Sequence, residues 1–159
     1  MSGKVMFVGA GPGDVGLISL KGKSAIERAD SILYDHLVHP NMLGWAKEGA
    51  ILHFVGKKKG AHSKQQSDIN KLMVSEAKSG RLVVRLKGGD PLIFGRLGEE
   101  MKALKESTIP YEIIPGITSA ISVPGFAGIP VTHRSLSRSV AFVTGTTMDG
   151  GPISQKLFP

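Results

Sequence analysis

Short apolar runs alternate along the chain with segments in which apolar residues recur at helical spacing. Five strands are predicted from the runs, at residues 4–8, 31–34, 51–55, 81–86 and 111–114. Helices are predicted after the first strand up to residue 29, at 65–79, at 99–105 and from residue 118. Strands that alternate with helices are typical of an α/β domain with a mostly parallel sheet.

The pattern changes after residue 131, where the chain becomes polar over residues 132–138. A new apolar run at residues 139–143 then predicts another strand. We therefore expect a first domain over residues 1–131, followed over residues 132–159 by a linker and the first strand of a truncated second α/β domain. Because no helix or further strand follows that run, we expect the sequence to be a fragment of a longer chain.

Composition narrows the class of protein. Of the 159 residues, 41% are hydrophobic, which is enough for one sizeable core. No apolar stretch approaches the roughly 18 residues of a membrane span, and the first residues lead into a strand without a signal peptide. We therefore expect a cytoplasmic protein without a membrane partner.

Residue types and charge also limit the chemistry. The chain has no cysteine and no metal-binding spacing of histidines or acids, so we expect neither disulfides nor a metal. The net charge of +7 favours an anionic partner, either nucleic acid or an acidic small molecule. Only 6% of residues are aromatic and the basic residues form no long tract, which argues against nucleic acid.

Two glycine-rich turns that follow predicted strands are the main chemical signal. The first runs from Gly9 to Asp14, and the second is Gly88-Gly89-Asp90-Pro91. Glycine lets a ligand approach the main chain where a Cβ atom would collide, so each turn is a plausible wall of a small-molecule site. A carboxylate in both turns favours a ligand with amine, hydroxyl or cationic groups over one rich in phosphate.

The first turn also has the spacing of a dinucleotide-binding motif, with glycines at positions 11, 13 and 16. Asp35 lies about 20 residues further on, where such motifs place a ribose-binding acid. Two residues argue against a pyrophosphate ligand, because Pro12 removes a backbone donor and Asp14 adds a negative charge. A tight turn with a purely structural role is the alternative.

Asp35 and Lys57 each follow a predicted strand and could project from the same edge of the sheet, where open α/β folds place their active sites. Opposite charges a few ångströms apart keep each other ionised, which would provide a base and an acid for proton transfer. A structural ion pair explains the same two residues equally well.

Five motifs in order closely resemble those of the tetrapyrrole methylase family, at residues 8–14, 34–35, 55–57, 84–96 and 115–119. The resemblance runs from residue 4 to about residue 145. It implies the family's α/β fold and methylation of two pyrrole carbons of uroporphyrinogen III, which gives precorrin-2 for sirohaem and cobalamin. It also implies S-adenosylmethionine as methyl donor, S-adenosylhomocysteine as its product, and a homodimer at full length.

The same resemblance implies roles for individual residues. Asp35 looks like the proton acceptor and Lys57 like the proton donor. The residues that it places around S-adenosylmethionine are Pro12, Gly88, Gly89, Asp90, Ile93, Thr118 and Ser119. The net positive charge would attract the many carboxylates of the tetrapyrrole. The candidate anchors for these carboxylates are Lys58, Arg85, Arg96 and Arg134.

The sequence departs from the family pattern at two places. Family members usually have glycine where this chain has Leu97, and Pro124 lies in a segment that is normally an alanine-rich helix. Two alternatives to the implied activity are open. One is methylation of a later corrin precursor, because the cofactor motifs are shared across the family, and the other is a module that only binds tetrapyrrole or nucleic acid through its basic surface.

Overall fold

The computed structural model describes residues 3–56 and 65–145. Its five strands are β1 (Lys4–Gly9), β2 (Ser31–Tyr34), β3 (Ile51–Phe54), β4 (Leu82–Lys87) and β5 (Tyr111–Ile114). Its α-helices are α1 (Leu20–Arg28), α2 (Pro40–Leu43), α3 (Gln66–Lys78), α4 (Leu97–Glu106) and α5 (Ser119–Phe126), with a 3-10 turn at Val15–Leu17 before α1. All five strands predicted within residues 4–114 are present.

The strands form one sheet in the order β3-β2-β4-β1-β5, and every neighbouring pair is parallel. This arrangement confirms the predicted α/β class. After β1 the chain continues to β2 on one side of the sheet, and after β4 it continues to β5 on the other side. The strand order therefore reverses between the neighbouring strands β1 and β4. Open α/β sheets bind their ligands in the crevice that such a reversal leaves at the carboxyl ends of the strands.

Helices cover both faces of the sheet because side chains alternate between the faces along each strand. Met6 and Val8 of β1 pack with Ile26 of α1 and Met42 of α2 on the first face. On the second face, the alternate residues of β1 join a core with side chains of α3 and α4, including Met73, Ala77 and Leu104. Burial on both faces holds the carboxyl ends of the strands in one rigid row.

The chain divides into two compact units, Met1–Ser119 and Ala120–Pro159. The sheet lies entirely in the first unit. In the described part of the second unit, an antiparallel bridge joins His133 and Ser137. The domain boundary at residue 131 stays a prediction.

The strand predicted at residues 139–143 is absent, since these residues have no regular secondary structure. An apolar run becomes a strand only when a neighbouring strand supplies hydrogen bonds. The described residues of the second unit supply none, and Val140, Phe142 and Val143 are exposed. Among the residues that the structure describes, no helix is long and apolar enough to cross a membrane.

Candidate functional site

The loops that follow β1 (residues 10–14, the β1 loop) and β4 (residues 88–96, the β4 loop) are joined through their main chains. The Ala10 amide donates to the Lys87 carbonyl at 2.8 Å. Gly11 and Gly89 exchange two hydrogen bonds, with N–O distances of 3.1 and 2.7 Å. The two glycine turns singled out in the sequence therefore form one unit at the point where the strand order reverses.

The loop after β5 (residues 115–118, the β5 loop) packs against this unit without side chains between them. A Cβ atom on Gly9 would lie 2.5 Å from the Gly116 Cα atom, and one on Gly116 would lie 2.3 Å from the Gly89 carbonyl oxygen. Such distances are too short for any side chain, so glycine is required here for the close contact of three backbones.

Two other glycines face open space. Gly89 has a φ angle of +65°, and the nearest atom to a Cβ atom there is the Thr118 Cα, at 3.9 Å. Gly13, at φ +125°, has no atom within 4 Å of a Cβ position among the described residues. Both need glycine for their backbone conformation, and both leave main chain open to a ligand.

The Asp90 carboxylate braces the β4 and β5 loops. Its Oδ1 accepts the Leu92 amide at 2.7 Å, and its Oδ2 accepts the Gly116 amide at 3.0 Å. A carboxylate has about four acceptor positions, so roughly two remain for a ligand after these bonds form. Asp90 thus has a structural role that the sequence interpretation did not include.

The same local turn occurs at the ends of β1 and β2. Asp14 Oδ1 accepts the Gly16 amide at 2.7 Å, and Asp35 Oδ1 accepts the Leu37 amide at 3.0 Å. An aspartate that bonds the amide two residues on mimics a backbone turn. In the loops after β1, β2 and β4, one carboxylate oxygen of an aspartate therefore fixes the turn, and at Asp90 the second oxygen holds the Gly116 amide.

Asp35 is half-buried, and its Oδ2 faces the guanidinium of Arg85, with 3.9 Å between Oδ2 and Nη2. This distance is longer than a hydrogen bond. Lys57 and Lys58 lie outside the described residues, so the pairing of Asp35 with Lys57 stays a prediction.

Sequence reasoning missed a buried charged cluster beside Asp35. Glu100 of α4 is fully buried and accepts Arg85 Nε at 3.0 Å and Lys87 Nζ at 2.7 Å. Burial lowers the pKa of the Lys87 ammonium, the neighbouring Arg85 charge adds to the lowering, and Glu100 opposes it. The available signal was the spacing of Glu100 with the buried Leu97 and Leu104, which puts a carboxylate on the apolar face of its helix.

The other predicted cofactor residues lie in these loops or directly after them. Pro12 belongs to the β1 loop, Ile93 donates its amide to the Asp90 carbonyl at 3.2 Å, and Thr118 lies beside Gly89. Gly88 faces the loop after β2, since a Cβ atom there would lie 2.5 Å from Leu37 Cβ. Ser119 is the first residue of α5. Contact of these residues with a cofactor stays a prediction.

The predicted substrate anchors differ in exposure. Arg96 is exposed and makes a two-pronged pair with Glu99, at 2.7 and 2.8 Å. Arg134 is exposed in the second unit. Arg85 is buried and bonded to Glu100, so its side chain is not exposed to a substrate, and its predicted role as an anchor stays a prediction.

Comparison with known proteins gives consistent matches. Residues 4–157 match the family described as Tetrapyrrole (Corrin/Porphyrin) Methylases. The chain is 59% identical over 145 residues to the uroporphyrinogen-III C-methyltransferase of Methanocaldococcus jannaschii, covering 91% of this chain and 60% of that protein. The protein of the same name in Bacillus subtilis is 56% identical over 143 residues, covering 90% of this chain and 56% of that protein.

A solved structure shares the fold. It is the uroporphyrin-III C-methyl transferase of Thermus thermophilus complexed with S-adenosylhomocysteine, which is 38% identical with a TM-score of 0.80. The match covers 98% of this chain and 61% of that structure. The chain thus spans between 56% and 61% of the length of these three relatives.

Proposed function

The chain belongs to the tetrapyrrole methylase family, and from this membership we propose that it transfers methyl groups from S-adenosylmethionine to two pyrrole carbons of uroporphyrinogen III. The observation that carries the proposal is the joining of the β1 and β4 loops at Gly11 and Gly89. It brings two glycine turns, with the carboxylates of Asp14 and Asp90 in the same loops, to the position where α/β sheets bind ligands. The product, precorrin-2, would supply sirohaem and cobalamin synthesis.

The charge and hydrogen-bonding groups of the crevice support S-adenosylmethionine as the ligand. Pro12 has no amide proton, and Asp14 and Asp90 carry negative charge, so a pyrophosphate would meet repulsion and too few donors. S-adenosylmethionine has no phosphate and presents a sulfonium, an ammonium and ribose hydroxyls. The remaining acceptor positions of Asp90 can receive an ammonium or hydroxyl proton, while Gly13 and Gly89 leave room for close approach.

Methyl transfer requires alignment and removal of one proton. A nucleophilic pyrrole carbon forms a bond to the methyl carbon as the sulfur–methyl bond breaks, and the sulfur leaves as a neutral thioether. The methylated ring system then releases a proton, which Asp35 accepts through its second carboxylate oxygen. Alignment of the two reactants contributes much of the rate, and proton transfer contributes roughly 10²- to 10⁴-fold.

Basic side chains would hold the carboxylates of the tetrapyrrole. Arg96 is exposed at the end of the β4 loop, close in sequence to Asp90 and Ile93. Arg134 and Lys58 complete the proposed anchors, and Lys57 is the proposed proton donor. For the full-length protein we further propose a cytoplasmic location and a homodimer, the latter measurable by light scattering.

Two measurements on the full-length protein test the proposal. Calorimetry with S-adenosylhomocysteine and with NAD as a phosphate-bearing control measures cofactor choice, and we expect binding of the first only. Transfer of labelled methyl groups to uroporphyrinogen III measures the activity. Failure to bind S-adenosylhomocysteine would overturn the cofactor assignment, and transfer only to a later corrin precursor would favour the sister enzyme. Binding of cofactor, tetrapyrrole or an oligonucleotide without any methyl transfer would favour the alternative in which the protein only binds.

A further inference from the structure

Four charged side chains form a continuous group under the carboxyl ends of β2 and β4, here called the Glu100 cluster: Asp35, Arg85, Lys87 and Glu100. Glu100 lies at its centre, with one carboxylate oxygen on Arg85 and the other on Lys87. Gln66 of α3 adds a longer hydrogen bond of 3.3 Å to Glu100 Oε1. The two positive and two negative charges of the group cancel.

The Arg85 guanidinium is fixed on two of its nitrogens. Nε donates to Glu100 at 3.0 Å, and Nη1 donates to the carbonyls of Leu86 at 3.1 Å and Leu33 at 3.4 Å. The planar fork cannot turn without breaking these bonds. Its remaining nitrogen, Nη2, is thereby held 3.9 Å from Asp35 Oδ2.

This separation leaves the second carboxylate oxygen of Asp35 open. A direct hydrogen bond from Nη2 would occupy Oδ2, the oxygen that the Leu37 turn leaves available. At 3.9 Å the guanidinium faces Oδ2 without such a bond, so the oxygen stays accessible to a proton.

We propose that Glu100 is a positioning residue for proton transfer, which holds Arg85 away from Asp35 so that Asp35 Oδ2 stays open to accept a proton. The inference rests on the proposed role of Asp35. Glu100 itself is fully buried, so its side chain is not exposed to a substrate. Burial of the charges of Arg85, Lys87 and Glu100 costs free energy that an apolar core would not require. A positioning role would explain why charged residues occur here.

Two substitutions in the full-length protein test this role. In Glu100→Gln, Arg85 loses its ionic anchor and is expected to close on Asp35, while Arg85→Lys keeps the charge but loses the fork. For both we expect kcat to fall at least 10-fold, with the affinity for S-adenosylhomocysteine changed less than 3-fold. Asp35→Asn combined with Glu100→Gln should be no slower than Asp35→Asn alone, because both changes act on one step.

The matched controls are Glu76→Gln and Arg81→Lys. These residues form an ion pair of 3.0 Å at the opposite end of β4, between α3 and the residue before the strand, and Arg81 is more exposed than Arg85. We expect their losses in thermal stability to leave kcat within 2-fold of the wild type. All assays are run at a temperature where each variant is folded by circular dichroism.

The outcomes separate this inference from the proposed function. A slow Asp35→Asn together with normal turnover in Glu100→Gln or Arg85→Lys would overturn the positioning role alone. Additive losses in the double variant would also overturn it, since a structural residue acts independently of Asp35. If Glu100→Gln does not fold, Arg85→Lys decides. Full turnover by Asp35→Asn would instead show that Asp35 is not the proton acceptor, and the positioning role of Glu100 would then be wrong as well.

Discussion

The Asp90 carboxylate accepts the Gly116 amide, with 3.0 Å between Oδ2 and the nitrogen, and so ties the loop after β4 to the loop after β5. Its other oxygen fixes its own loop through Leu92. One side chain therefore sets the relative position of two walls of the proposed cofactor crevice. A substitution at Asp90 will change the shape of the crevice as well as its charge.

Asp90→Ala should weaken S-adenosylhomocysteine binding by roughly 10- to 150-fold, because a charge-assisted hydrogen bond contributes about 1.5–3 kcal/mol. Loss of the two amide bonds should also lower the free energy of unfolding. Calorimetry and thermal denaturation measure the two effects. The matched control is Asp30→Ala, because Asp30 also accepts a backbone amide, that of Leu82 at 2.7 Å, at the opposite end of β4. Asp30→Ala should lose stability without losing affinity, and equal affinity losses in both variants would contradict a ligand contact at Asp90.

Gly116→Ala should separate the three loops, since the new Cβ atom would lie 2.3 Å from the Gly89 carbonyl oxygen and 2.7 Å from the Gly9 Cα atom. Overpacking of this kind costs about 1–3 kcal/mol, and we expect loss of S-adenosylhomocysteine binding with it. Gly98→Ala is the control, because the residue is in α4 and, beyond its own helix backbone, none of the described residues places an atom within 4 Å of its Cβ position. That variant should gain roughly 0.5–1 kcal/mol from helix propensity. A Gly116→Ala protein of native stability would show that the loops tolerate the side chain.

Asp35→Asn should lower methyl transfer by roughly 10²-fold or more while leaving S-adenosylhomocysteine affinity nearly unchanged. Asparagine still offers an oxygen to the Leu37 amide, so the turn at the end of β2 should persist. Lys57→Met, which removes the proposed proton donor, should give a similar pattern. Steady-state rates and calorimetry measure both variants, and normal turnover in both would identify a structural pair.

The ion pairs of Glu112 predict that the protein loses stability at acidic pH. Hydrogen bonds from Lys21 and Lys4 lower the pKa of its carboxyl to about 2, from an ordinary value of 4.5. Because the folded-state pKa is the lower one, the ion pairs stabilise the protein fully above pH 4.5 and lose their effect as the pH falls toward 2. Both lysines and Glu112 are accessible to solvent, so salt should also weaken the effect.

The melting temperature of Glu112→Gln against the wild type checks this expectation. The difference should be largest at neutral pH and low salt and should vanish near pH 2. Glu106→Gln serves as the control, because Glu106 pairs with one exposed lysine, Lys102, at 3.9 Å. A difference that stays constant between pH 6 and pH 2 would show that the two lysines do not hold Glu112.

Features that depend on a few neighbouring residues can be read from the amino-acid sequence. Short apolar runs located all five strands of the sheet, and helical spacing located α3 and α4. The aspartate turns at Asp14, Asp35 and Asp90 are equally local, since each carboxylate bonds an amide two residues away. The same reasoning failed at residues 139–143, because a strand needs a partner that an apolar run does not specify.

Which of these features contact each other depends on how the whole chain folds. Insertion of β4 between β2 and β1 puts Gly89 against Gly11 and Arg85 near Asp35, and α4 then brings Glu100 under both. These contacts join residues far apart in the chain, so no local pattern contains them. Strand order follows from burying both faces of the whole sheet at once, and that is a property of the complete arrangement of side chains.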